Sequence, residues 1–387
     1  MSTGQDSAEH ALQARAPRTS ALRAGTPHTR VPHSGHTSLR WGRISFAFRA
    51  RAAFAAGALA TATFLLFAIC LAHGDYPIPL TRVLSVIFTP GGDSVEHLVI
   101  LHWRMPRALS GVMVGAALGL AGAITQTLTR NSLASPDILG ITIGASAGAV
   151  SVIVASGGAT TGILAWFAGQ GIAFSALCGA LLTSILVWAL SSRYGVDPIR
   201  LILTGLIISA LLGSYINYLL TTAKIQDVAR AQFWLSGSLG LATWDRLLPV
   251  TIVVIMSIPT LAWVAFTLRA TLMGRTIATA LGQNIHTAQF TLLALAVTLT
   301  AASVAAAGPI GFIAFVAPQL AQRLSATVSP PLISSLFMGS FLLLTADLAT
   351  QTILPPTASV GLTTTAFGSI FLIYLLIRVQ RKETDNQ

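Results

Sequence analysis

Charge is scarce in this chain. Only 9% of its 387 residues are Asp, Glu, Lys or Arg, and carboxylates number 12 in all. Soluble chains carry about 25% charged residues, so composition excludes an ordinary water-soluble fold. Cysteine is nearly absent too: Cys70 and Cys178, each inside an apolar run, leave no disulfide framework and no zinc site. Ile69 is bulky where signal cleavage before a lipidated Cys70 would need a small residue, so that reading is excluded. Room for a soluble catalytic domain is also lacking. The longest polar connections, about 74–104, 222–245 and 269–287, are too short to bury a core.

What is present in quantity is apolar sequence: 53% of residues are hydrophobic and the mean hydropathy is +0.74. About 20 apolar residues cross a bilayer as helix, and apolar runs bounded by polar breaks predict ten spans. These are 52–73, 105–128, 138–157, 164–191, 199–221, 246–268, 288–307, 309–324, 332–350 and 361–379. The eighth is interrupted by Pro318, Gln319 and Gln322, which a membrane tolerates only where protein or water covers the backbone. The fold class is therefore all-α and polytopic.

The formal charge of +11 does not form a nucleic-acid stripe, because eight of the 23 Lys and Arg stand before the first span. Residues 1–51 are also rich in Ser, Thr, Pro and His, and are expected to form a disordered basic cytoplasmic tail ahead of a membrane domain, 52–387. Its four histidines have no ligand spacing, so no metal site is expected. Ten spans place the tail, 129–137, 192–198, 269–287, 325–331 and 380–387 on one side. That side gathers seventeen Lys and Arg against six on the other: Arg82, Arg104, Arg107, Lys224, Arg230 and Arg246. The excess belongs inside, so both termini are expected in the cytoplasm of a cytoplasmic-membrane protein.

Two segments carry more specific information. Arg104-Met105-Pro106-Arg107 precedes a span whose Gly111, Gly115 and Gly119 lie on one face and admit a second backbone. Arginines on the outer side run against the charge rule; they answer either an anionic aqueous partner or lipid phosphate. After that span comes Arg130-Asn131-Ser132-Leu133-Ala134-Ser135-Pro136-Asp137-Ile138-Leu139-Gly140. Asp347 is the one carboxylate inside an expected span, with ion coupling or an internal hydrogen-bond or ion-pair role as its alternatives.

These motifs resemble the FecCD-type permeases, the membrane subunits of ABC importers for iron-siderophores, haem and vitamin B12. Further matches follow in order: Arg200–Gly205, Trp234–Leu239, Ala280-Leu281-Gly282-Gln283-Asn284 and Gly308-Pro309-Ile310-Gly311-Phe312, over about 52 to 380. The resemblance implies a type II importer permease that is not itself an enzyme. It carries no cofactor; ATP and Mg are bound by a cytoplasmic ATPase dimer. Implied partners are a second permease copy or paralogue, an extracytoplasmic substrate-binding lipoprotein and, as cargo, a ferric siderophore, with haem or cobalamin as alternatives. It assigns binding-protein docking to Arg104 and Arg107, and ATPase coupling to Arg275, Ala278, Ala280, Leu281 and Gly282. For the translocation path, Gln126, Ser209 and Asn217 are the expected lining. Three positions depart from the family pattern: Gln351 for Arg, Ser132 for Pro and Gln319 for His. A secondary transporter coupled through Asp347 is the competing class.

Overall fold

The computed structural model describes residues 36–41, 44–74, 76–88, 95–157, 171–191, 198–355 and 358–384. Residues 1–35, the start of the fourth expected span (164–170) and the loop 192–197 with Arg193 lie outside the described residues. Two units result, Met1–Arg49 and Ala50–Gln387. In the first, β1 (His36–Trp41) pairs antiparallel with β2 (Ile44–Arg49), Leu39 opposite Phe46 and Trp41 opposite Ile44. This hairpin lies within the stretch expected as the basic tail. Apolar residues alternate at Leu39 and Trp41 and again at Ile44, Phe46 and Phe48, a period-2 signal that the bias toward charge and Ser concealed.

Among its described residues, the regular elements of the second unit are all helices. Its helices are α1 (Ala50–Ala72), α2 (Leu80–Phe88), α3 (Val95–Thr129), α4 (Ile141–Ser156), α5 (Ile172–Ser191), α6 (Pro198–Thr222) and α7 (Ile225–Leu235). Then follow α8 (Trp244–Ser257), α9 (Leu261–Leu272), α10 (Arg275–Ala280), α11 (Ile285–Ala307), α12 (Ile313–Ser325), α13 (Leu332–Thr352) and α14 (Val360–Thr384). Six of these, α1, α3, α5, α6, α11 and α13, are long and apolar enough to cross a membrane. The pair α8 and α9 makes a seventh if taken as one span bent by 62°. Pro259 stands in that break, where it cannot donate to the helix ladder. The remaining expected spans are the shorter apolar helices α4 and α14, and α12, 13 residues cut off from α11 by Gly308-Pro309.

Glycine sets the packing. On α3, a Cβ at Gly115 would meet the Gly339 carbonyl of α13, one at Gly119 the Ser335 carbonyl, and one at Gly122 the Ala314 carbonyl of α12. Backbone-to-backbone approach of this kind supplies the dispersion that holds helices together where lipid removes the hydrophobic drive. Ser340 Oγ seals the same face by donating to the Val112 carbonyl at 2.7 Å. A second pair, α4 with α5, repeats the device through Gly144, Gly148 and Gly179.

The connections sort into two ends of the bundle. At one end, Trp244 Nε1 donates to the Leu101 carbonyl, Ser238 N to Ala307 and Ser359 Oγ to Ser236. At the other, Arg51 Nε donates to the Leu324 carbonyl, Arg130 Nη2 to Thr271 and Gln319 Nε2 to Ser132. Helix α1 starts at the second end and α14 at the first, so the chain enters and leaves the bundle at the same end.

Candidate functional site

The first end holds the two arginines of the Arg-x-Pro-Arg motif. Pro106 has no N–H to give, and the turn before it widens into a π-helical stretch, Leu98–Arg104, that carries Arg104 to the end of α1. There its guanidinium donates to the carbonyls of Leu71 (2.9 Å), Ala72 (3.3 Å) and Tyr76 (2.6 Å), closing groups that the helix end leaves open. Arg107, one turn on, faces α13. Its Nε lies 3.2 and 3.1 Å from the two oxygens of Asp347, and Nη2 lies 2.8 Å from Oδ1. Asp347 is 1% exposed and Arg107 30%. Gln351 Nε2 donates to Oδ2 of the same carboxylate at 2.8 Å.

An internal ion-pair role was one of the two alternatives for Asp347, but its partner, 240 residues away, was not legible in the sequence. The ion pair accounts for the arginine on this side of the bilayer as well as for the buried acid. Gln351, a departure from the family pattern, is an internal hydrogen-bond donor here.

Beside this cluster, three chain breaks interlock. Gly237, Gly308 and Gly361 approach so closely that a Cβ on each would strike a carbonyl: Pro309, Trp234 and Ser236, respectively. Gly237 and Gly308 also hold φ of +67° and +74°, which side chains disfavour. The Trp-Leu-Ser-Gly and Gly-Pro-Ile-Gly motifs are thus the two halves of one joint. Phe312, at φ +66°, packs its ring on Gly368 of α14 and closes it.

At the opposite end, α10 lies between Gly274 (φ +102°) and Gly282 (φ +80°), which turn the chain at either side. The expected coupling residues divide. Ala278 is fully buried, turned into its own chain, because a six-residue helix resting on the bundle must use one face for itself. Ala280, Leu281 and Gly282 are exposed, and Arg275 opens the helix. Ile277 (49% exposed) and Met273 (60%) join Leu281 on the free face and were not among the expected residues. Helical spacing, Ile277 to Leu281, is the signal that would have found them. Gln319 Nε2 reaches the Ser132 carbonyl at 2.6 Å, so two of the three departures from the family pattern bond to each other.

Of the expected path residues, Gln126 lies inside the chain. It is 3% exposed and donates to the Phe315 carbonyl at 2.9 Å, clamped between α3 and α12 where Gly122 brings them together. Ser209 is half-buried over Gly140, and Asn217 is exposed. Asn217 belongs to a polar run on α6 with Ser214 and Thr221, also exposed, on a helix only 17% buried within this chain. The start of α4 is anchored by Asp137, whose carboxylate accepts from the Thr142 hydroxyl. Burial pushes that carboxyl above the ordinary carboxylate range, and the Thr142 hydroxyl pulls it part of the way back. Among the described residues no group of three or more His, Cys, Asp or Glu could hold a metal ion.

A model of the FecCD transport family matches residues 62–378. The chain belongs to that family. A FecCD relative from Escherichia coli (strain K12), the ferric enterobactin transport system permease protein, is 37% identical over 82% of this chain and 96% of its own. The iron(3+)-hydroxamate import system permease protein of Bacillus subtilis (strain 168) is 36% identical over 82% and 95%. A solved metal-chelate type ABC transporter in an inward-facing conformation shares the fold, with a TM-score of 0.71 at 24% identity, covering 84% of this chain and 98% of that one. FecCD membership and the long apolar helices together make this a multi-pass membrane protein.

Proposed function

We propose that this chain is the membrane-spanning permease subunit of an ABC importer that carries a ferric siderophore across the cytoplasmic membrane. The observation that carries the reading is α6: a helix long enough to cross the bilayer, belonging to a FecCD chain, with Ser214, Asn217 and Thr221 exposed on its surface. Ser214 and Thr221 turn their hydroxyls back to the Ala210 and Asn217 carbonyls of the same helix, but the exposed Asn217 amide is costly against lipid, so this face needs protein and water against it. A second permease copy or paralogue supplies both, with the translocation path along the interface and Ser209 and Asn217 beside it.

The energy comes from a separate ATPase dimer; this subunit performs no hydrolysis. Its coupling surface is the exposed face of α10, where Ile277 and Leu281 offer apolar anchors to a groove on the partner. The charge excess puts that end, and both termini, in the cytoplasm. The end bearing Arg104 and Arg107 then receives the extracytoplasmic binding protein. Arg107, held by Asp347 yet partly exposed, presents a fixed donor to a carboxylate on it. Relatives named for ferric enterobactin, iron(3+)-hydroxamate and Fe(3+) dicitrate support a chelate carried intact rather than haem or cobalamin.

The competing class, a secondary transporter coupled through Asp347, sits poorly with a carboxylate whose two oxygens already accept from Arg107 and Gln351. The test is reconstitution into vesicles with the ATPase, the binding protein and a labelled ferric siderophore. Uptake is expected to need ATP and to stop with vanadate. Accumulation by this chain alone, driven by an ion gradient, would discard the importer reading.

A further inference from the structure

A second pair of arginines lies at the same end of the bundle, away from the Arg107 cluster. The end of α4, the start of α5, the last turns of α7 and the first turn of α8 line a half-open cavity of about 180 Å³. Arg230 and Arg246 both line it, with Phe233, Trp234, Ile153 and Ser156 among its walls. Arg246 is half-buried and has no hydrogen-bond or ion-pair partner among the described residues. Arg230 approaches a carboxylate, Asp227, only at 3.9 Å, beyond hydrogen-bond reach.

Two guanidiniums facing one mostly apolar cavity repel each other, and the cost rises as water is excluded. An anion between them converts that cost into charge-assisted hydrogen bonds. The two forks come from different helices, α7 and α8. A tetrahedral phosphate offers oxygens to both at once, whereas a planar carboxylate fits one fork. The depth agrees: among the described residues, each helix that lines the cavity does so near one of its ends, which is the level of headgroups rather than of acyl chains. We propose that Arg230 and Arg246 form a binding site for a phosphate group, with Phe233 and Trp234 as its apolar walls. The group is either a phospholipid headgroup or free inorganic phosphate.

The full-length chain, purified in a phosphate-free alkyl glucoside detergent, is compared with Arg230→Gln/Arg246→Gln. One arm adds phosphatidylglycerol and counts lipids retained per chain by native mass spectrometry. The other titrates inorganic phosphate and reads the thermal midpoint. Retention that falls about tenfold in the variant assigns the site to a lipid headgroup. A phosphate-induced rise in midpoint that only the wild type shows assigns it to the free anion. Equal lipid retention together with equal midpoint shifts in the two proteins overturns the proposal. Should the double variant fail to fold, Arg230→Gln alone, at an exposed position, is put through the same two arms, and the same outcomes assign the site or overturn it. Arg246→Lys, which keeps the charge but not the fork, is expected to fall between wild type and Arg230→Gln/Arg246→Gln; binding at the wild-type level in it would remove the two-fork geometry and the proposal with it.

Discussion

Helices α3 and α6 draw on the same small and apolar residues, yet their surroundings are opposite. The most apolar part of α3 is 83% buried within the chain, and that of α6 only 17%. The difference follows from where each helix spends its small residues. On α3 the glycines recur every fourth residue and meet Ser335, Gly339 and Ala314 backbone, so neighbours close over them. On α6 Gly213 meets nothing, while Leu203, Leu206, Ile207 and Leu211 stand more than half exposed. One helix is the scaffold that fixes Arg107 and the Gly237–Gly308 joint. The other is a face made for something outside this chain.

The sharpest way to break the contrast is to add bulk to the scaffold. A Gly119→Leu side chain would collide with the Ser335 backbone, which cannot swing away as a side chain could. A cost of about 3 kcal/mol or more is expected. It would be read as loss of folded chain in detergent, whereas Gly213→Leu on α6 should leave the lone chain folded. Equal behaviour of the two would erase the distinction between scaffold and free face.

Next in size is the buried ion pair. Asp347→Asn leaves Arg107 without its counter-charge. Breaking a fully buried pair costs about 3–5 kcal/mol, and the partial exposure of Arg107 reduces this to about 2 kcal/mol. Removing both charges with Arg107→Met/Asp347→Leu should return most of that loss, since the pair owes its worth to mutual compensation rather than to net attraction. Thermal midpoints of the two singles and the double decide; additive losses would show that the pair is not coupled.

Smaller again is the bond between two positions that depart from the family pattern. Gln319→Ala frees the Ser132 carbonyl and should lower stability by about 1 kcal/mol, while Ser132→Ala, which keeps that carbonyl, should cost almost nothing. A reversed ranking would mean that the Ser132 side chain, not its backbone, is what α12 recognises.

The sequence revealed the helices and the glycine face because period and composition are local properties: six of the expected spans find helices long and apolar enough to cross a membrane, and the others find bent or shorter ones. Partners were less legible. Arg107 and Asp347 are separated by 240 residues and eight or more helices, and nothing near either names the other. Docking arginines were expected from position and motif, and the structure gives both of them internal partners first. The partner of Gln126 was illegible for a related reason: nothing near it in sequence shows that Gly122 brings the Phe315 carbonyl of α12 over it. The strand pair His36–Trp41 and Ile44–Arg49 was not legible because the composition of the whole tail outweighed the alternation at Leu39 and Trp41 and at Ile44, Phe46 and Phe48.

The smallest expected effect is the one that closes the comparison. Ile207 is 66% exposed on α6, so Ile207→Ala removes little that this chain buries, and its stability as a lone chain should change by less than about 0.5 kcal/mol. If a second permease covers α6, the same substitution deletes buried area from that interface. The assembled complex should then dissociate at higher protein concentration than wild type, measurable by size-exclusion with light scattering. If lipid covers the face instead, one apolar side chain is exchanged for another against hydrocarbon, and neither measurement moves. The exposed amide of Asn217 beside it argues for protein and water over lipid, so the expected result is a stable chain that pairs less well.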